Sequence, residues 1–286
     1  MKEIELHIQL PFSYWLDRDP ESGNALQKPD ERSVADYLMS LAKEMGSMKT
    51  DYQDCQVTRI RFMGGYLSLL DAEDLERLLI LIHRSFSVRE NCPVNGVFFP
   101  GQTDMEMISC YRNHNVSPLL FEVPSLSYNE CKAMGYPMAM QALDKTVYLL
   151  QNYSESEWGL RLPIGMADRS KSSWEYLLGQ IYHYSPKYLQ FFRLSTDTQE
   201  DLGFAQICSD LESHGYCRIA ENLYATEEVS PAFVIPEPDT EYVGIGLGAR
   251  SRIDGFLVAN TADPALYKSR CVSYRNLIAT VQEYLL

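Results

Sequence analysis

Short apolar runs alternate with longer amphipathic stretches from the first residues of the chain. Period-two or β-branched runs predict strands at 4–10, 57–63, 94–99, 118–123, 158–164 and 188–194. The spacing between them is helical. Val34, Tyr37, Leu38, Leu41 and Met45 share one face, and Leu75, Leu78, Leu79 and Ile82 share another behind Asp71, a suitable N-cap. Further helices are expected at 104–113, 129–134, 139–152, 173–184 and 197–214. Six repeats of strand and helix imply right-handed crossovers and a mainly parallel α/β sheet. A doubly wound open sheet and a (β/α) barrel both satisfy this order. After His214 the rhythm changes: 216–224 predicts a strand, 230–238 a loop broken by proline, and 263–284 a final helix. The expected division is a main domain over 1–214 and an extension over 215–286 packed on it.

Composition narrows the class. The chain has 286 residues, 45% of them hydrophobic, and 25 Lys plus Arg against 39 Asp plus Glu, a net charge of −14. At about 150 residues per domain that is one large domain or two small ones, and the hydrophobic content excludes a disordered or collagenous chain. An acidic surface disfavours nucleic acid and anionic membranes. No run of about 18 apolar residues and no signal-peptide pattern occurs, so the expectation is a cytoplasmic protein. Seven cysteines, at 55, 92, 110, 131, 208, 217 and 271, include no C-x-x-C pair. They read as reduced, mostly buried hydrophobes.

Few motifs carry chemistry on their own. Gly244-Ile-Gly-Leu-Gly248 has G-x-G-x-G spacing, and no βαβ unit follows it, so a tight turn fits better than a dinucleotide site. Gly64-Gly65 could cradle an anion or amino acid with its amides, or form a plain βα turn. Asp17, Asp19 and Glu21 lack the glycine of a calcium loop. No G-x-S-x-G or H-E-x-x-H segment occurs.

Taken together, five segments resemble the radical S-adenosylmethionine family of oxygen-independent coproporphyrinogen III oxidases and the related haem chaperones. They are Leu6-His-Ile-Gln-Leu-Pro-Phe12, Ile60-Arg-Phe-Met-Gly-Gly-Tyr-Leu-Ser-Leu-Leu70, Lys132-Ala-Met-Gly135, Gly165-Met-Ala-Asp-Arg-Ser-Lys-Ser-Ser-Trp174, and Gly244 through Gly255 with Ala259-Asn260. The resemblance implies an open partial (β/α)6 barrel with a C-terminal α/β extension. Its departures imply more about function. The family's I-P-F-C-x-x-x-C-x-x-C places three thiolates on a four-iron cluster that binds S-adenosylmethionine. Here Ser13, Asp17 and Pro20 stand at the cysteine positions. Proline has no ligand atom, and neither serine nor a lone carboxylate replaces a soft thiolate. The family's Gly triplet reads Met63-Gly64-Gly65, its E-A-N-P reads Val97-Phe98-Phe99-Pro100, and an Asp and a His align with Arg161 and Arg250. Cluster and S-adenosylmethionine are therefore expected to be absent, and no metal site is expected.

Alternation places Arg161 and Glu122 on the same side of neighbouring strands, which predicts a buried or half-buried ion pair. Arg61, Arg161, Arg169 and Arg250 read either as guanidiniums for carboxylates such as porphyrin propionates or as internal charge compensation. With Tyr14, Trp15, Gly64, Gly65, Tyr66 and Phe99 they outline a ligand surface at the barrel mouth. The resulting expectation is a catalytically inactive, ligand-binding or regulatory protein linked to haem or porphyrin, with a small molecule or an unknown protein as partner. The alternative is an enzyme with non-radical chemistry on the inherited barrel.

Overall fold

A computed structural model describes residues 1–12, 31–123, 125–127, 139–154, 156–164, 171–193, 204–227, 233 and 240–283. The strands are β1 (Lys2–Gln9), β2 (Cys55–Tyr66), β3 (Ser87–Val88), β4 (Val94–Phe98), β5 (Val116–Glu122), β6 (Trp158–Ile164), β7 (Tyr188–Arg193), β8 (Cys217–Ala220), β9 (Leu223–Ala225), β10 (Tyr242–Ile245), β11 (Arg250–Ile253), β12 (Phe256–Asn260) and β13 (Ile278–Glu283). The helices are α1 (Glu31–Met48), α2 (Ala72–Ser85), α3 (Met105–Asn113), α4 (Ala139–Tyr153), α5 (Lys171–Tyr184), α6 (Phe204–Ser213) and α7 (Pro264–Arg270). No helix among the described residues is long and apolar enough to cross a membrane.

Two compact units divide the chain. The first takes Met1–Val97, Ser109–Ser117 and Pro236–Leu286; the second takes Phe98–Ile108 and Pro118–Ile235. In the first, strands run in the order β13-β12-β11-β10-β1-β2-β4, with β3 beside β2. β1 pairs in parallel with β2 on one side and β10 on the other. The segment Pro236–Leu286 thus returns to the first strand, and sequence position does not follow compact unit. In the second, the order is β5-β6-β7-β9-β8, parallel from β5 to β7 and antiparallel beyond. The result is a mixed α/β fold built on parallel strands.

The core of the first unit follows from alternation. Ile4, Leu6 and Ile8 on β1 and Leu10 just beyond it are fully buried, as are Val57 and Ile60 on β2 and Leu75, Leu79 and Ile82 on α2. α2 begins where the spacing predicts, with the Asp71 carboxylate accepting from Asp74 N at 2.7 Å. In the second unit Leu119, Phe121, Leu160, Leu162 and Leu189 do the same work.

Three expectations are corrected. β2 runs on to Tyr66, so Gly64 and Gly65 are strand residues and not a turn after Met63. Residues 216–224 form the two short strands β8 and β9 and not one. The final helix expected over 263–284 is the seven-residue α7, a 3-10 turn at Tyr274–Leu277 and β13. Asp263 caps α7, accepting from Ala265 N and Leu266 N, but β13 pairs with β12 along its length, and that ladder overrides local helical spacing. The helix expected at 129–134 lies outside the described residues.

The buried face of α1 carries a charge that periodicity does not predict. Glu44 is 1% exposed and accepts three hydrogen bonds: from Tyr267 Oη (2.7 Å), Gly246 N (2.9 Å) and Asn260 Nδ2 (2.8 Å). Burial pushes its carboxyl up, these donors pull it down, and the balance leaves it at about 7. The folded value lies above the ordinary 4.5, so the folded state holds a proton that the unfolded state releases. Stability from this group is full below pH 4.5, declines as the pH rises to 7, and is level above that. The decline amounts to about 3 kcal/mol at about 1.4 kcal/mol per pH unit. Urea unfolding of the protein and of Glu44→Gln at pH 5, 6, 7 and 8 should show their stability difference changing in this window; a constant difference would refute the assignment.

Candidate functional site

The polar face of β1 and β2 carries four charged or titratable side chains in a square. Alternation puts Glu5 and His7 of β1 opposite the apolar row, and the register sets Glu5 beside Arg59 and His7 beside Arg61. The Glu5 carboxylate is the corner that the other three side chains reach. It accepts from Arg61 Nε at 2.6 Å and Nη2 at 3.3 Å, lies 3.2 Å from His7 Nε2 and 3.4 Å from Arg59 Nε. Arg59 Nη1 also donates to Asn95 Oδ1 at 2.8 Å, and Asn95 Nδ2 donates to the Ser117 carbonyl at 2.7 Å. The His7 ring stacks on Tyr242 of β10 at 4.2 Å. Burial raises the Glu5 carboxyl, but hydrogen bonds from His7 and Arg61 and the Arg61 charge overcome it and hold the group at about 2.

At both glycine segments the protein's own atoms approach too closely for a side chain. A Cβ on Gly65 would lie 2.1 Å from the Phe12 carbonyl oxygen, and one on Gly64 would lie 1.9 Å from the Gln9 side chain. Tyr66 N donates to Phe12 O at 2.8 Å, and Leu10 N to Met63 O at 2.7 Å. These glycines therefore let the end of β1 pack on β2. At the Gly244–Gly248 turn, Gly246 has φ +115° and its N–H meets the Glu44 carboxylate, while Leu247 N donates to Tyr37 Oη at 3.1 Å. One amide of the turn thus meets the protein's own carboxyl group and the next a tyrosine hydroxyl.

In the second unit Arg161 of β6 pairs with Glu122 of β5, as parity predicts, with Glu122 buried and Arg161 half-buried. The guanidinium also lies over the Phe192 ring, 4.2 Å from its centroid.

Among the other expected site residues, Arg61 is buried on Glu5, and Arg250 is an exposed residue opening β11. Tyr66 and Phe99 are each 3% exposed, so they are packed side chains and not open anchors for a ligand. Arg61 and Arg250 belong to the first unit and Arg161 to the second. Ser13, Tyr14, Trp15, Asp17, Pro20 and Arg169 lie outside the described residues. Sequence reading missed Glu5, His7, Arg59 and Asn95. The signal was present: polar residues at alternate positions of an apolar strand have to meet partners on the facing strands.

Among the described residues, which do not include positions 13, 17 and 20, no three His, Cys, Asp or Glu side chains are grouped to hold a metal ion. Burial pushes the Cys92 and Cys110 thiols up to about 11, which disfavours the thiolate a cluster needs.

No protein-family model matches the chain. Over 242 residues it is 21% identical to the heme chaperone HemW of Synechocystis sp., covering 78% of this chain and 58% of that protein. The chain is distantly homologous to that chaperone. It thus spans less than two thirds of its relative's length. In structure it is similar to the radical SAM enzyme coproporphyrinogen III oxidase (HemN) from Escherichia coli, with a TM-score of 0.85 and 15% identity over 99% of this chain and 72% of that one. A weaker likeness, TM-score 0.51 at 11% identity, links it to anSMEcpe with bound AdoMet and Cp18Cys peptide, over 96% of this chain and 82% of that one. The chain has the HemN-like α/β fold with a parallel sheet.

Removing the Glu5 carboxylate leaves two guanidiniums without their shared counter-ion. Glu5→Ala should cost about 3–5 kcal/mol in urea unfolding at pH 7. The folded value, near 2, lies below the ordinary 4.5, so this contribution is present above pH 4.5 and lost as the pH falls through 2. The gap between the protein and Glu5→Ala should therefore close on acidification; a gap that holds at pH 2 would refute the ion-pair account.

Proposed function

We propose that this chain is a non-radical relative of the coproporphyrinogen oxidases and haem chaperones, catalytically inactive in their chemistry, which acts by binding a tetrapyrrole. One observation carries the reading: Ser13, Asp17 and Pro20 occupy the positions where the family's motif has its three cysteines. A cluster needs soft thiolates, and without it S-adenosylmethionine has no iron to bind and no electron source for cleavage. On the polar face of β2 the chain carries the half-buried guanidinium of Arg59, which reaches Glu5 only at 3.4 Å. Guanidinium forks match carboxylates, and a porphyrin has propionates to offer. The distant likeness to a heme chaperone supports haem over an unrelated ligand.

Two measurements on the purified protein test this. Anaerobic reconstitution with iron and sulfide should give no iron-sulfur absorption band and no cleavage of S-adenosylmethionine; either signal would overturn the non-radical reading. Haem titration should shift the Soret band saturably. An unshifted band would remove the tetrapyrrole from the proposal.

A further inference from the structure

The apolar face of the first unit's sheet grows steadily more exposed towards β13. Tyr242 stands opposite Arg252 across β10 and β11, so Val243 and Ile253 share the other face. β12 then sets Phe256 beside Ile253, and Val258 beside Val281 of β13, on that same face. Along this row Val243 is fully buried, Ile253 and Val258 are half-buried, Phe256 is 42% exposed and Val281 57%. β13 ends the sheet. Among the described residues it pairs with β12 alone, and all six of its residues are exposed. An edge strand holds out alternate backbone N–H and C=O groups, and proteins blunt such edges with lysine, proline or inward charges. β13 reads Ile278-Ala-Thr-Val-Gln-Glu283: it has neither lysine nor proline, and its one charge is at its end. Its one irregularity lies at its beginning, opposite Ala259 and Asn260, and leaves Thr280–Glu283 in regular pairing.

The occupant that matches this edge at every position is the same strand of a second copy. Antiparallel pairing about a two-fold axis normal to the sheet gives each outward donor its own acceptor and keeps every side chain on its own face. Facing residues then have the same parity, so one residue stands opposite itself. With Val281 at the axis, Thr280 meets Gln282 and Ala279 meets Glu283. The apolar row runs from Val258 and Val281 of one copy into Val281 and Val258 of the other. The two Glu283 carboxylates fall at opposite ends of the joint, so a chain of net charge −14 opposes no like charges there. A register centred on Thr280 would set Val281 against Ala279 and break the row. We propose that the edge of β13 docks a second copy of this chain, joining the two sheets through Val281 across a two-fold axis. A joint of one short strand is small, so the dimer is reversible and dependent on concentration.

Sedimentation velocity of the full chain should show monomer passing to dimer as concentration rises. Val281→Lys sets two ammonium groups across from each other at the axis and should weaken association by about tenfold. Ile80→Lys, which removes an exposed apolar side chain from α2, should leave it unchanged. Val281→Cys places two thiols at the Cα spacing of a facing antiparallel pair, about 4.5–5.5 Å, within disulfide reach. In oxidised glutathione it should form a covalent dimer well above the background set by the unaltered protein's own cysteines. Thr280→Cys, on the other face and off the axis, should stay at that background. A monomer at every concentration, or a dimer that Val281→Lys leaves intact and Val281→Cys does not cross-link, would overturn the proposal. Should Val281→Lys fail to fold by circular dichroism, the two cysteine variants decide. An edge covered by another segment of this chain, or kept for a different protein, gives the monomer result.

Discussion

A strand covered on both faces cannot hide a polar side chain without a partner, and β1 is such a strand. It lies between β2 and β10, with its apolar row in the core and Glu5 and His7 on the other face. The partners have to come from the flanking strands at the same height, because the ladder fixes which residues stand side by side. Arg59, Arg61 and Tyr242 are those residues. The register of the three strands and the electrostatics of the polar face are therefore one constraint. A slip of one residue would move Glu5 into the apolar core and the two arginines away from it.

The same economy governs the glycine-rich turn. Amides of a turn that contains glycine in a left-handed or unusual conformation make a concave donor surface, the device by which many proteins hold phosphate. Here the Gly246 amide meets Glu44 and the Leu247 amide meets Tyr37, both from α1, with Tyr267 and Asn260 also donating to Glu44. The turn thus serves as a tie between the first helix and the last strands of the first unit. Gly64 and Gly65 serve a related purpose on the other side of β1, admitting its terminal residues to close range.

Much of this was legible in order along the chain. The parallel strands, the Asp71 cap with its Leu75, Leu78, Leu79 and Ile82 face, and the pairing of Glu122 with Arg161 all follow from periods of two and 3.6. Those are local rules. Glu44 escaped them because a helical pattern counts apolar positions, and its partners lie more than two hundred residues away. β13 escaped them because its conformation is set by β12 and not by its own spacing. The square around Glu5 was visible as polar residues in an apolar strand, yet only the register says which cations meet it. The cluster positions are a different case, since their message lies in residue identity at 13, 17 and 20 and needs no geometry.

The tie at Glu44 also has a bearing on how the protein is made. Hydrogen bonds from Gly246, Asn260 and Tyr267 reach a residue separated from them by 202, 216 and 223 positions. During vectorial synthesis α1 emerges early and has to wait, with a carboxylate on its apolar face, for partners still inside the ribosome. Contacts so distant in sequence are closed late and slowly. Before those donors are made, burying this face of α1 would bury a carboxyl group without partners, a cost that the finished fold no longer carries.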